Sequence, residues 1–410
     1  MPVRSREAAV AAELRNAMVD RLREFHLIVT PSVEAAMRVI PRHLFVPGDA
    51  VERAYSNEGI VTHRDADGIA VSSASAPGVV AAMLEQLDVR PGQRVLEIGA
   101  GTGYNAALLA RLVGSAGQVT TVDIDEKVVR GARECLVAAG CAGVSVVWGD
   151  GEFGYADHAP YDRIVITGGA WDLPPAWSDQ LVPGGRLVVP LRMRGMTRSI
   201  AFEQEDGYWR SRSIEECGFI PLRGAGEVAE RNLFLDEQRH VTLRIDDGYP
   251  ADSQALGRAL DYPPALFWTG VAGAFEYLDF WLATLGGVCR LLVAPGALDR
   301  GLIAPVFGWG SMGVFDRDTF AYLTRHTADD PKGAGPPLFE LGVCAYGPSG
   351  EELASRVADR VRAWDRDRRS ITEIWIEAHP VDSDTAPSGH LVIRKRHTQV
   401  IVRTTLREQS

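Results

Sequence analysis

The sequence predicts an α/β protein: a doubly wound, largely parallel sheet followed by a C-terminal α+β domain. Three observations carry that prediction. From Pro91 onward, short apolar runs alternate with helical stretches, the pattern of strands buried between two covering layers. The first of these runs opens into a glycine loop and then a helix, an arrangement typical of nucleotide-binding sheets. After about Gly224 the alternation stops and the character of the chain changes. A chain of 410 residues is also too long for one ordinary core, which favours two domains.

Each element follows from its local pattern. Leu14, Met18, Leu22 and Phe25 recur at helical spacing, so the segment to about Val46 reads as helical, with Pro41 and Pro47 breaking its regularity. Pro91-Gly92 is a turn, Arg94 to Ile98 a buried strand, Gly99 to Gly103 a glycine loop and Tyr104 to Val113 a helix. Gln118 to Val122 is the second strand, ending at Asp123, and Glu126 to Ala139 is a helix. Val144 to Trp148 is a strand ending near Asp150, and Asp162 to Thr167 is the fourth. Pro174 to Leu181 reads as a short helix, and Pro183-Gly184-Gly185 turns into a strand from Arg186 to Pro190. Beyond Gly224, the polar stretch to Asp236 is a linker, and His240 to Asp246 alternates like a half-buried strand. Phe267 to Leu285 is rich in aromatics, read either as core or as a peptide groove, and Asp330 to Pro337 is a loop. Ser349 to Trp364 is a helix, with Ser349 and Glu352 at capping-box spacing and Leu353, Val357, Val361 and Trp364 on one stripe. Ile371 to Ile376 and Leu391 to Val402 are strands of the second domain. The expected division is 1–90, a helical and substrate-loop part; 91–223, the nucleotide-binding core; and 224–410, the C-terminal extension.

Composition narrows the function classes. Net charge is −11, and the longest basic run is Arg394-Lys395-Arg396, which argues against a nucleic-acid binder. The five cysteines are scattered, with no CxxC pair and no zinc spacing. That pattern predicts reduced thiols in a cytoplasmic protein and no metal site. The N-terminal stretch has charges throughout and no apolar core of roughly 7–15 residues, so no signal peptide is expected. No run reaches the ~18 uncharged apolar residues of a membrane span.

The chemistry centres on VLEIGAGTGYNAALLARL, Val95 to Leu112. Its spacing is Glu97-x-Gly99-x-Gly101-x-Gly103, not the GxGxxG of dinucleotide folds. Glycines let a ligand lie against the loop backbone, and the helix starting near Gly103 directs free N–H groups at it. Asp123, 24 residues after Gly99 and at the end of the second strand, can accept both hydroxyls of a ribose. Asp150, at the end of the third, is placed to reach an adenine amino group. A nucleotide binder of another Rossmann-like kind is the alternative, and the missing GxGxxG counts against it.

With Gly149-Asp150-Gly151 added, this set resembles the nucleotide-binding half of class I S-adenosylmethionine-dependent methyltransferases. In chain order, MVDRL (18–22), IPRHLFVP (40–47), SAP (75–77), VLEIGAGTGY (95–104), GDGEFGYADHAPYDRIVITGGA (149–170) and DQLVPGGRLVVPL (179–191) resemble the protein-L-isoaspartate (D-aspartate) O-methyltransferase family, with GFIPL (218–222) at the end of that fold. The resemblance implies S-adenosyl-L-methionine as cofactor and S-adenosyl-L-homocysteine as product. It implies donor contacts from Ser73, Ala74, Ser75, Glu97, Ile98, Gly99, Ala100, Gly101, Gly103, Asn105, Asp123, Ile124, Gly149, Asp150, Gly151 and Thr167. It also implies that Ser75 is the catalytic position, its hydroxyl holding the acceptor carboxylate beside the methyl donor. A carboxylate is ionised at neutral pH and the sulfonium methyl is already activated, so neither a general base nor a metal is required. The protein must align the groups and exclude water without gripping the ground state too tightly.

Three departures bear on the substrate. The lead into the serine segment carries His63, Arg64, Asp65 and Asp67, either a solvated loop or contacts to a particular peptide. Trp171 and Trp177 in GGAWDLPPAW either pack under the sheet edge or form the lip of a peptide cleft. The third departure is the C-terminal extension, absent from the housekeeping repair enzyme. RDADG, SSASAP, YNAALLA, GAWDLPPAW and TRSIAFE resemble a bacterial, C-terminally extended subfamily that modifies ribosomally made peptides such as lanthipeptides and graspetides. That implies a modified precursor peptide as partner, methylated on an Asp side chain whose ester closes to a succinimide or, after hydrolysis, isoaspartate. The alternatives are general repair of isoaspartate in proteins, an RNA methyltransferase (opposed by the acidic charge) and a peptide-binding module without activity (opposed by the intact glycine loop).

Overall fold

A computed structural model describes residues 2–66, 68–245, 249–308, 310–327, 339–383 and 388–407. Asp67, Asp246 and the expected loop from Asp330 to Pro337 lie outside them. The chain begins with α1 (Pro2–Glu24), α2 (Pro31–Val39) and α3 (Val51–Ala54), then an antiparallel hairpin of β1 (Ile60–Arg64) and β2 (Ala70–Ala74). There follow α4 (Pro77–Leu87), β3 (Arg94–Ile98), α5 (Tyr104–Val113), β4 (Gln118–Asp123), α6 (Glu126–Ala138), β5 (Ser145–Trp148), β6 (Tyr161–Ile166) and α7 (Pro175–Asp179). Three long strands close this part: β7 (Leu181–Met193), β8 (Met196–Glu205) and β9 (Tyr208–Glu216). The next stretch holds β10 (Arg231–Phe234), β11 (Val241–Ile245), α8 (Ser253–Leu256), β12 (Ala265–Ala272), α9 (Leu278–Leu282), β13 (Val288–Val293) and α10 (Pro295–Asp299). It continues with β14 (Gly310–Asp316), β15 (Thr319–Thr327), β16 (Phe339–Tyr346) and α11 (Gly350–Asp367). The last elements are β17 (Ile371–Pro380), β18 (Leu391–Arg394) and β19 (Thr398–Leu406).

Two large sheets result. The first has ten strands in the order β18-β19-β17-β9-β8-β7-β6-β3-β4-β5. Pairs from β7 to β5 are parallel, as the strand–helix alternation requires. The second is a seven-stranded antiparallel sheet in the order β10-β11-β13-β14-β15-β16-β12. In the parallel strands the side chains divide by parity. Val95, Val119, Val165 and Val188 face a core shared with α1, α2, α4, α5 and α6. Leu96, Ile98, Ile164, Ile166 and Leu187 face the opposite core. There the fold departs from helices on both faces. Between β6 and β7 the chain offers only the five-residue α7, too little to cover that face. The core on this side instead runs on into α9, α11 and the inner face of the second sheet.

The tip of the β7–β8 hairpin is the join. Met193 and Met196 are buried, the Arg194 guanidinium donates to the Ala283 carbonyl at 2.6 Å, and Arg290 donates back to the Gly195 carbonyl at 3.1 Å. Arg198 of β8 pairs with Asp279 of α9 and, at 2.9 Å, with Glu216.

Several sequence expectations need correction. The strands expected in the C-terminal domain at 371–376 and 391–402 belong to the first sheet, where Glu377 pairs with Arg210 and Ala378 with Trp209 of β9. Alternation announces a strand but not its partner. The segment 391–402 is two strands separated by a tight turn. β8 and β9 were not anticipated, and the expected linker 224–236 contains β10. Ser349 does precede α11 but makes no side-chain cap; its backbone N–H donates to Thr319 Oγ1 instead. Among the described residues, no helix is long and apolar enough to cross a membrane.

Because β17 is built into the first sheet, Ile376→Ala should destabilise the fold of the N-terminal half as well. The expected cost is about 2–5 kcal/mol, seen in a single urea unfolding transition shared by the whole chain. Two transitions, with only the second shifted, would contradict this.

Candidate active site

The site sits at the C-terminal ends of β3, β4 and β6, where open parallel sheets gather their loops. β3 ends at Ile98, and the loop that follows has Gly99, Gly101 and Gly103 at φ of 102°, 51° and 85°. These are backbone angles that side chains resist. A Cβ on Gly99 would stand 2.5 Å from Thr167 Oγ1. That hydroxyl, just beyond β6, donates to the carbonyls of Ile98 and Gly99 at 3.0 and 2.5 Å and ties the loop to the neighbouring strand.

Asp123 ends β4 and braces the loop from the other side. One carboxylate oxygen accepts the Gly101 N–H and the other the Asp125 N–H, each at 3.1 Å. Burial raises this carboxyl above the usual carboxylate range, against those two donors, which favour its charged form. Beneath the loop, Glu97 is fully buried and accepts from Asn105 Nδ2 at 2.8 Å and Thr121 Oγ1 at 2.6 Å. Burial pushes its carboxyl up to about 7.

The β1–β2 hairpin lies across the loop. In register, Val61 opposes Ser73 and Ile60 opposes Ala74. The Ser73 carbonyl would be 3.6 Å from a Cβ on Gly101. Ser75 and Ala76 then lead into α4, where Pro77 suits the first helical turn. A residue that sequence reasoning missed holds this passage. Arg42 is fully buried and donates from Nη2 to the Ser75 carbonyl at 2.9 Å and from Nε to the Ala54 carbonyl at 2.8 Å, its guanidinium over the Tyr104 ring. It stood inside the quoted IPRHLFVP, but nothing local marks it as a partner of residue 75.

One cavity unites these parts. Its wall includes Ser73, Ala74 and Ser75 from the hairpin exit, Glu97 to Gly101 and Asn105 from the loop and helix, and Asp123, Ile124, Gly151, Thr167, Trp171 and Trp177. Other lining residues, among them Arg42, Thr102, Tyr104, Glu152, Asp172, the run Phe219 to Arg223 and Gly226, are not among the expected site residues, although Phe219 to Leu222 lie within the GFIPL motif.

Five expected residues do not line it. Gly103 starts α5 and packs near Leu136 and the Ala132 carbonyl, so its freedom serves helix packing. The Gly149 N–H donates to the Asp123 carbonyl at 3.0 Å. The two carboxylate oxygens of Asp150 accept the N–H groups of Glu152 at 2.9 Å and Ala225 at 2.8 Å, so Asp150 pins the 220–226 segment. His63 is partly exposed, and Arg64, exposed, donates to the Gly68 carbonyl at 2.9 Å. Trp177 is not a lip: it is 1% exposed and its indole N–H donates to the Gly151 carbonyl at 2.9 Å. Trp171 is partly exposed, its ring flanked by Lys395 Nζ at 4.4 Å and the Arg192 guanidinium at 5.7 Å.

Bare loop backbone facing a carboxylate at the tip of the second strand fits a nucleoside. With this fold it defines a Rossmann-like S-adenosylmethionine-dependent methyltransferase, and S-adenosylmethionine is its methyl donor. The model for "Protein-L-isoaspartate(D-aspartate) O-methyltransferase" matches residues 13–227, and the chain belongs to that family. The protein-L-isoaspartate O-methyltransferase of Methanopyrus kandleri is 42% identical over 212 residues, which is 51% of this chain and 91% of the relative. That of Aeropyrum pernix is 40% identical over 222 residues, 53% of this chain and 83% of the relative. A solved protein-L-isoaspartate O-methyltransferase superposes with a TM-score of 0.50 at 21% identity, covering 88% of this chain and 96% of its own. That likeness is one of fold, and its extent corrects an expectation: a fold reaching well beyond the shared half does not by itself separate this chain from proteins bearing the repair enzyme's name.

Glu97 provides a pH test. A carboxyl raised in the folded state adds stability that is complete below about 4.5 and lost as pH rises through about 7. Urea unfolding of the donor-free protein between about pH 5 and pH 8 should therefore show a decline that Glu97→Gln flattens. Parallel pH profiles for the two proteins would contradict the assignment.

Proposed function

We propose that the chain methylates the free carboxylate of isoaspartyl residues in proteins or peptides. The observation that carries this reading is that Ser75 lines the same cavity as the glycine loop and Asp123, within a match that runs through residue 227. When bound, the donor supplies an activated methyl group. Asp123 would take its ribose hydroxyls, and the backbone of Gly99 to Gly101 would lie along it. Ser75 would orient the acceptor carboxylate with a neutral hydrogen bond, leaving the attacking oxygen nucleophilic. No proton has to move, because the acceptor is already ionised. The hairpin and the 220–226 segment, pinned by Asp150, would keep water from the reacting groups. The 1–90 part would supply the acceptor loop, 91–223 the donor core and 224–410 substrate recognition, in a cytoplasmic enzyme.

A second reading keeps the donor site and changes the acceptor. The substrate would be a modified, ribosomally made precursor peptide of the lanthipeptide or graspetide kind, methylated on an Asp side chain. The following backbone nitrogen would attack the ester, expel methanol and close a succinimide. What favours it is local: the β1–β2 turn carries exposed Arg64 and Asp65, and the wall at Trp171 is built partly by the C-terminal strands.

Methyl transfer to two short peptides, one with isoaspartate and one with Asp, decides between them. The first reading expects turnover of the isoaspartyl peptide and little of the other. Turnover of a constrained Asp peptide alone would support the second. Ser75→Ala should lower kcat/KM by about 10–100-fold, the loss of one hydrogen bond to a charged group. Affinity for S-adenosylhomocysteine should be nearly unchanged. Unaltered turnover would remove Ser75 from the mechanism.

A further inference from the structure

The turn between β18 and β19 comes from the far end of the chain, yet it sits on the cavity wall. It is tight, with the Lys395 N–H donating to the Thr398 carbonyl at 2.8 Å. Lys395 is 7% exposed, and its ammonium donates to the Trp171 carbonyl and, at 2.5 Å, to the Arg192 carbonyl, while lying 4.4 Å from the Trp171 ring. Next along the chain, the His397 N–H and the Thr398 hydroxyl each donate at 2.6 Å to Asp172, one to each carboxylate oxygen. Arg396 donates to the Ala225 carbonyl at 2.8 Å, the residue whose N–H is held by Asp150. Trp171 and Asp172 line the cavity, and Ala225 adjoins Gly226, which does too.

Burying an ammonium is costly unless its donors are satisfied, and a turn exposed to solvent needs no such group. Here the cation is satisfied by the backbone of the loop it meets and by the face of an indole. Asp172, in turn, is fixed through both oxygens. The loop after β6 is thus clamped in backbone, ring and carboxylate by three residues of one turn. The family match ends at 227, so the clamping turn lies outside the matched residues and the loop it clamps lies within them.

We propose that the Lys395–Thr398 turn is a positioning element of the acceptor wall, setting the place of Trp171 and Asp172 in the cavity that Ser75 also lines. This rests on the reading that a carboxylate acceptor enters on that side. The glycine loop of the donor cradle is held through Thr167 and Asp123, and the turn's contact toward the donor side is His397 Nε2 at 3.6 Å from Glu152, so the turn is assigned to acceptor use.

The test uses the full chain with Thr398→Val, Thr398→Ser and Lys395→Met. Hydrogen exchange of residues 168–173 should accelerate about tenfold in Thr398→Val, one charged hydrogen bond being lost, and return with Thr398→Ser. kcat/KM for an isoaspartyl peptide should fall by about tenfold, while the Kd for S-adenosylhomocysteine by calorimetry stays within about twofold. Lys395→Met should do the same and serves if Thr398→Val unfolds. Wild-type exchange rates in both variants would overturn the proposal, as would loss of donor affinity in step with kcat/KM. If the wild-type chain leaves the isoaspartyl peptide untouched, the acceptor reading fails, and the exchange measurement still decides the clamp.

Discussion

The bond from the Gly101 N–H to the Asp123 carboxylate is the constraint around which the site is arranged. It spans two adjacent strand ends and holds the glycine loop in a shape that leaves its backbone bare. Thr167 closes the same loop from β6. With the loop fixed from both sides, the β1–β2 hairpin can lie within contact distance of it. Ser75, the proposed acceptor-side residue, is then delivered by the exit of that hairpin, not by the sheet. In the proposed mechanism donor and acceptor are thereby assigned to different parts of the chain, one built on strand ends, the other carried in on a hairpin whose exit is held by Arg42.

This division explains what the sequence disclosed. The cradle was legible because its requirements are local: glycines where positive φ is needed, and an acid at a strand end. The parallel strands were legible for the same reason, since burial on both faces leaves a continuous apolar run. Long-range partnerships were not. The bond from the Ala225 N–H to Asp150, across 75 residues, had no local sign. For Trp177 the sequence left packing and a cleft lip both open, and the indole N–H bond to the Gly151 carbonyl goes with packing. Arg42 carries no local sign of its bond to the Ser75 carbonyl. Ser349 and Glu352 had the right spacing for a capping box, yet Ser349 spends its backbone N–H on Thr319.

The C-terminal half shows the same limit at larger scale. Its strands were recognisable, but not the fact that the last three return to the first sheet. The short α7 leaves one sheet face in need of cover, and the second sheet with α9 and α11 supplies it through one continuous core. An extension attached in this way is part of the folding unit, and its final turn reaches the cavity wall.

The central claim is that one cavity orders donor and acceptor between the glycine loop and Ser75. A crystal structure with S-adenosylhomocysteine tests it most directly. The account predicts the ribose hydroxyls on Asp123, the nucleoside along Gly99 to Gly101 and the sulfur directed toward Ser75. A sulfur pointing away from the hairpin, or a ligand that leaves Asp123 untouched, would contradict it.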